Sequence, residues 1–538
     1  MHSDPLSSPA DRTIPSLLTR QAEAIGDDLY LLDEDGASLT FHQTSELADR
    51  YAESLRRLGV GRGDVVAFFM ENSAEQAVMS FAVNRLGAIW SPVSTDYRGE
   101  WLGITFEDMR SEVLVVDGGL LPIVAALDHL PFKHVVVNGT PAETVGGPTM
   151  HDLASFAETP AVRPDVDLFY GDTNAILWTS GTTGKSKGVM QPHNAWLTWA
   201  KDHNERRGGI REGERFYACV PMYNSGGWIT NIYPALVEGV PACIDKRFSV
   251  SSFWDRTRHY GASHVMTLGT MHLYLFQQPA AENDRDNPVR TMLHNPTIPQ
   301  ILRPFMDRFG IDLVWSGFGQ SEIMGATVYT SERDLKPGSC GYTDTELVET
   351  KLLDDNDEEV ATGETGEICV RGKEPFVIFN GYFHESERTL ETFRNQWHHS
   401  GDLGRIDEDG ELFFVDRKKD STRHKGRNIS SFEVEHIARQ FPGVLMAAAY
   451  GVKLEDMEHE EELMITVMPT EGAEIDPLEF CKFIDSKAPY FFVPRYVDVT
   501  HDVPLTPTQK IQKFKLRDRG LTATTFDRET VDWQPTRK

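Results

Sequence analysis

Short apolar runs alternate with amphipathic helical patterns through the first part of the chain, and that rhythm narrows the fold sharply. Leu47, Tyr51, Leu55 and Leu58 fall on one face of a helix that Gly59 ends, and residues 64–70 then read as a nearly continuous apolar strand. A second helical pattern over 75–86 stops at Gly87, and 88–92, 113–116 and 134–137 are again strand-like. Helices between apolar strands predict a parallel sheet covered on both faces, so the first domain is expected to be α/β. At 538 residues the chain outgrows one ordinary core, and a large domain built of subdomains plus a smaller one is expected. Strands at 444–450 and 463–467 with a helix near 477–486 predict a compact α+β unit at the C-terminal end.

One apolar strand, 174–178, gives way abruptly to Thr179, Ser180, Gly181, Thr182, Thr183, Gly184, Lys185, Ser186, Lys187 and Gly188. Glycines let the backbone turn tightly with its N–H groups facing one concavity, the hydroxyls add donors, and the lysines bring positive charge to a polyphosphate. An ordinary solvated turn is the bland alternative, and the length and order of this run argue against it. A Walker-type loop needs glycine where Thr179 stands, which excludes it. Residues 192–194 lead into a helical stretch through Arg206, so the loop is expected to join a strand to a helix.

With 82 acidic against 53 basic side chains the net charge is −29, which repels nucleic acid and anionic membranes and makes the local lysines of the loop more telling. The five cysteines are scattered without a C-x-x-C pair, as expected of free thiols in a reducing cytoplasm. No apolar run approaches membrane-spanning length and the N-terminus lacks a signal pattern, so an intracellular protein is expected.

The loop, with Trp178 as its leading aromatic, resembles the phosphate loop of the adenylate-forming superfamily: acyl-CoA and aryl-CoA synthetases, luciferases and the adenylation domains of peptide synthetases. Ser186 stands where that family usually has proline. The resemblance continues in order along the chain. The segment 221–228 is similar to one that borders the family's acyl pocket, which implies Tyr223, Asn224, Trp228 and Gly317 as substrate-binding residues; Asn224 replaces the usual histidine, and an amide cannot become cationic. A core role for Tyr223 and Trp228 is the equal alternative. Phe318, Gly319, Gln320, Ser321 and Glu322 resemble the motif in which a flat ring stacks on adenine, a hydroxyl reaches the α-phosphate and a carboxylate helps hold Mg2+.

Asp402, in a Ser-Gly-Asp sequence, is implied as acceptor for the ribose hydroxyls, and Arg417 as a contact to ribose or phosphate. Lys419 falls at the family's hinge, Gly426 where the backbone passes close to the CoA thiol arm, and Lys510 at the catalytic lysine, with Gln509 in place of glycine. The run 428–435 is similar to carnitine and crotonobetaine CoA ligases.

The resemblance therefore implies an N-terminal adenylate-forming domain over 1–416 and a small mobile α+β domain over 417–538. The implied function is ATP-dependent ligation of a carboxylic acid to CoA through an acyl-adenylate, with ATP, Mg2+ and CoA; a dimer is common in this family. Transfer to a carrier-protein thiol, an amine or oxygen, and a binding protein weakened at Ser186, Asn224 and Gln509, are the alternatives.

Overall fold

The computed structural model describes residues 6–179, 186–268, 270–329, 336–343, 345–418, 422–424, 427–429, 431–453, 461–505 and 511–536. Among these, two seven-stranded sheets dominate the N-terminal part. The first runs Thr149–Asp152, His134–Asn138, Val113–Asp117, Val65–Phe69, Ile89–Pro92, Thr173–Thr179, Lys187–Pro192. Its pairs are parallel except the last, which is antiparallel. The second runs Leu313–Trp315, Thr291–Asn295, His264–Leu268, Phe216–Ala218, Ala242–Ile244, Leu29–Asp33, Ser38–Thr40, and is parallel up to its last pair.

The continuous apolar run at Val65–Phe69 follows from burial on both faces of the sheet. Val66 and Phe68 point into the largest core, whereas Val65, Ala67 and Phe69 point into a second. The largest core also takes Tyr30, Phe216, Ala242 and Ile244 from the other sheet, so the helices Phe41–Arg57, Ala74–Arg85 and His193–Arg206 lie in a layer that both sheets share. Each fully buried Trp or Phe in this layer, such as Trp90 or Phe81, contributes on the order of 1.5–3 kcal/mol of apolar burial. The helix Phe41–Arg57 opens on a reciprocal cap, in which the Thr40 hydroxyl accepts from the Gln43 N–H and the Gln43 side chain accepts from the Thr40 N–H. Gly59 and Gly87 follow their helices at φ of +95° and +66°, as their stop positions require.

A third, antiparallel sheet follows: Ser339–Tyr342, Glu411–Arg417, Trp397–Ile406, Thr365–Gly372, Val348–Leu353. Beyond it, Val444–Lys453, Glu461–Pro469, Tyr496–Val499 and Phe526–Asp527 form a four-stranded sheet, covered by the helices Ser431–Ala438 and Pro477–Lys487 over a core of its own. The fold class expected from the sequence is thus the one observed. No described helix is long and apolar enough to cross a membrane, and the five cysteines are unpaired.

Candidate functional site

The glycine-rich segment is the tip of a hairpin. Thr173–Thr179 and Lys187–Pro192 pair antiparallel, Trp178 facing Gly188 and Thr179 facing Lys187. The expectation that the segment joins a strand directly to a helix is corrected: a second strand intervenes before the helix His193–Arg206. Residues 187–192 carry too few apolar side chains to read as a strand alone, and pairing with the buried neighbour supplies the missing stabilisation. Ser180, Gly181, Thr182, Thr183 and Gly184 lie outside the described residues, as do Lys419, Gly426 and Lys510.

Gly188 allows a close approach, since a Cβ there would stand 2.9 Å from Ile176 Cγ2 and 3.1 Å from Phe383 Cβ. Through that gap the segment 380–383 lies along the outer side of Lys187–Pro192. Phe383 N–H donates to Gly188 at 2.7 Å, Met190 N–H to Gly381 at 3.0 Å, and Asn380 N–H to Met190 at 2.8 Å. The Asn380-Gly-Tyr382 turn thereby docks on the hairpin's outer strand through a single antiparallel bridge, with Val189 opposite Tyr382.

This pairing places Tyr382 where its phenol donates to Glu322 Oε1 at 2.8 Å. The Glu322 backbone carbonyl accepts from Phe379 N–H at 2.9 Å. Lys187 Nζ stands 5.0 Å from the Tyr382 ring centroid, which carries the loop's positive charge to the same place. Gln191, on the same strand, donates through Nε2 to the Ser321 carbonyl. Hairpin and Glu322 are therefore one braced unit, with Tyr382 as the brace between them.

Gln320 extends the unit to the third sheet, donating through Nε2 to the Ser400 carbonyl at 3.0 Å and to Asp402 Oδ2 at 2.6 Å. Arg417 faces Asp402 across the strand pair, with Nε 4.0 Å from Oδ1. Burial pushes the Asp402 carboxyl up to about 6, the Arg417 charge and the Gln320 hydrogen bond pull it down, and the Glu322 charge pushes the same way as burial. Through Gln320, which bonds Asp402, and Glu322 and Ser321, which bond the hairpin's side, the hairpin, the 318–322 turn and the Ser-Gly-Asp turn converge on one locus.

Gly319 is tight for the same reason as Gly188: a Cβ would sit 2.2 Å from the Met324 carbonyl oxygen. The Phe318 ring is buried and stacks toward Phe414, centroids 6.4 Å apart at 23°. Tyr223 and Asn224 are half-buried, and burial raises the Tyr223 phenol. The structure places Trp228 fully in the core, 4.2 Å from Trp90 by ring centroids, with its indole N–H donating to the Met222 carbonyl at 2.6 Å.

For a magnesium ion, Glu322 offers the hard oxygen ligand that such an ion takes beside phosphate. Tyr382 engages one carboxylate oxygen and Oε2 has no hydrogen-bond partner among the described residues, so the residue fits. A second cluster, Glu367, Cys369 and His399, has metal-like spacing. Cations already fill it: Lys418 Nζ lies 3.0 Å from Glu367 Oε2 and Arg394 Nη2 3.0 Å from His399 Nδ1. Burial keeps the Cys369 thiol protonated. Glu367 also accepts the Gly401 N–H at 3.0 Å, which fixes the turn that carries Asp402.

A mostly parallel α/β body with a glycine-rich hairpin beside paired acidic residues, followed by a small α+β unit, defines a nucleotide-using enzyme of two lobes. The family model described as AMP-binding enzyme matches residues 18–383, and the chain belongs to that family. A crotonobetaine/carnitine–CoA ligase of Salmonella paratyphi A is 27% identical over 515 residues, 92% of this chain and 97% of the relative. Among solved structures, the anthranilate CoA ligase AuaEII in complex with anthranoyl-AMP matches with a TM-score of 0.81 at 23% identity, over 94% of this chain and 97% of that one. The O-succinylbenzoate coenzyme A synthetase of Bacillus subtilis, in complex with ATP and magnesium ion, matches with a TM-score of 0.78 at 22% identity, over 94% and 98%.

Proposed function

We propose that the protein is an ATP-dependent carboxylic acid:CoA ligase that acts through an acyl-adenylate. The observation that carries this reading is the convergence of Glu322, Gln320 and Asp402 on the phosphate-loop hairpin, in a chain of the AMP-binding family. Names of relatives at near full-length coverage support CoA as acceptor.

A carboxylate is a poor electrophile and ATP is stable in water, so the enzyme must align the two and stabilise charge building on the α-phosphate. The hairpin between Thr179 and Lys187 grips the triphosphate, and Asp402 accepts the ribose hydroxyls. Magnesium, when bound at Glu322, neutralises phosphate charge. Lys510 bridges the acid carboxylate and the α-phosphate. A carboxylate oxygen attacks the α-phosphorus, the bond to the β-phosphate oxygen breaks, and pyrophosphate leaves. The CoA thiol, losing its proton, then attacks the acyl carbon, and the acyl–oxygen bond to AMP breaks.

The two halves are served by one site in turn: residues 417–538 rotate about Lys419 against 1–416, withdrawing Lys510 and presenting the Gly426 loop. The enzyme works in a reducing cytoplasm, with a homodimer as its assembly. Acid-dependent ATP–pyrophosphate exchange tests the adenylation step, and its absence with every acid overturns the ligase reading in favour of a binding protein. Lys510→Ala is expected to abolish acid-dependent pyrophosphate release yet spare thioester formation from preformed acyl-adenylate. Equal loss of both halves overturns the division of labour.

A further inference from the structure

In parallel α/β sheets ligands bind beyond the carboxyl ends of the strands. At those ends of the second sheet, the loop 317–322 carries the nucleotide-site residues, and Tyr223 and Asn224 follow the strand Phe216–Ala218, three places along the sheet. Below them, side chains on one face form two rows. The upper row, set by the register Met266–Leu293–Trp315 and continued by Ala218, is wholly apolar. Val220 joins it from above, and Leu268, Met271 and Tyr329 pack against it half-buried. Gly226 closes one side, where an added Cβ would meet Met266 Sδ at 3.4 Å.

The next row down, Phe216–His264–Thr291–Leu313, is apolar at its two ends and polar between them. Glu214 binds Arg290 at 2.5 Å and His264 Nε2 at 2.8 Å, and His264 Nδ1 meets Thr291 Oγ1 at 2.8 Å. Arg207 lies over both layers, its guanidinium carbon 5.3 Å from the Phe216 ring centroid and 4.9 Å from that of Trp315. It is 4% exposed, and its Nη2 has no hydrogen-bond partner among the described residues. A buried cation with no ion pair among the described residues thus backs the apolar face; the acid whose charge acts on it is Glu238, which also accepts from Asn204 Nδ2 at 3.0 Å, while Glu214 is already paired with Arg290.

We propose that the acyl group binds on the face formed by Val220, Met266, Leu268, Met271, Trp315 and Tyr329, and that this site selects compact acids, aromatic or short aliphatic, that carry no positive charge. The inference rests on the ligase reading above and adds its substrate class. Length is limited because one pleat of strand, about 7 Å, separates the Trp315 row from the loop that begins at Gly317. Extending the acyl chain past the Met266–Leu293 part of this row drives it into His264 and Thr291 and the Arg290–Glu214 pair that His264 joins, whose charges lose partners if displaced. A quaternary ammonium acid finds no carboxylate on this face among the described residues and meets the Arg207 charge behind Trp315. Arg207 is accordingly specificity-determining.

The test is pyrophosphate release, with ATP and CoA, across benzoate-type acids, butanoate to octanoate, hexadecanoate, carnitine and crotonobetaine. The expected result is kcat/KM at least ten-fold higher for the best single-ring or short aliphatic acid than for hexadecanoate or either quaternary acid. Preference for hexadecanoate or a quaternary acid overturns the selectivity while leaving the ligase reading standing. Silence with every acid overturns both. Arg207→Met, which keeps the apolar stem, is expected to narrow the gap between neutral and quaternary acids by ten-fold or more while retaining use of the neutral one. An unchanged ratio in a variant with an unaltered thermal midpoint overturns the role of Arg207, and a fluorescence displacement titration with the acids reads the same ratio without turnover.

Discussion

Asp402 has conflicting demands placed on it. Burial raises its carboxyl to about 6 from an ordinary 3.8, yet its proposed task of accepting two ribose hydroxyls needs the ionised form. As pH falls through 6 the carboxylate takes up a proton and loses acceptor capacity, so the KM for ATP is expected to rise roughly ten-fold per unit between pH 6 and 5. Asp402→Asn is expected to have a high KM that is flat over the same window, and initial-rate measurements at saturating acid distinguish the two. The sign for stability is opposite: a folded pKa above the unfolded one gives stability that is full below 3.8 and lost as pH rises through 6. At pH 8 the ionised group therefore costs up to about 3 kcal/mol, and Asp402→Asn is expected to have a higher urea midpoint than the parent there. Tyr382 acts at one remove, by holding Glu322 Oε1. Tyr382→Phe is expected to lower kcat by roughly 5- to 30-fold, the equivalent of about 1–2 kcal/mol, and to raise the magnesium concentration needed for half-maximal rate.

At the level of the element, the hairpin Thr173–Thr179 and Lys187–Pro192 depends on Gly188. Gly188→Ala is expected to destabilise by about 1–3 kcal/mol, because Ile176 and Phe383 press on the new methyl from both sides, and a thermal melt reads it directly. Elements of this sort also show which features a sequence displays. Val65–Phe69 was legible because burial on both faces forces an unbroken apolar run, and Gly59 and Gly87 marked helix ends because they take positive φ. Lys187–Pro192 was not legible as a strand, since its pairing energy comes from neighbours on both sides. Glu322, Asp402 and Arg417 were found as separate motifs, whereas the Gln320 amide that joins the 318–322 turn to Asp402 and the Tyr382 phenol that orients Glu322 are tertiary contacts without a local signature. Asp416, in a charged run that usually marks a solvated face, is buried at 3% because it accepts the Ser431 N–H and hydroxyl at the start of a helix.

For the molecule as a whole, two separate apolar cores flank the segment around Arg417. Joined among the described residues by Asp416–Ser431, a Phe414–Phe432 ring contact and a Gln300–His436 contact, they are expected to part when the chain is nicked. Limited trypsin digestion should first cut within 417–427, giving two fragments, and first cuts inside either core would count against the proposed boundary. Burial also keeps histidines neutral in both halves of the N-terminal body: His193, His203 and His398 are lowered to about 3 and His272 to about 4. Below pH 6.5 the unfolded chain takes protons that the folded one refuses, so their contribution is full above that value and declines as pH falls. The urea midpoint is expected to drop between pH 7 and 5, and a flat midpoint would show that the upward-shifted acids cancel the effect.

The strand Lys187–Pro192 ends its sheet, and residues 380–383 occupy its outer side. A margin filled from within cannot recruit an extended segment from another molecule. Stacking of chains into fibrils therefore has no foothold beside this strand, and among the described residues of this sheet the opposite margin, Thr149–Asp152, is the one that remains for such growth.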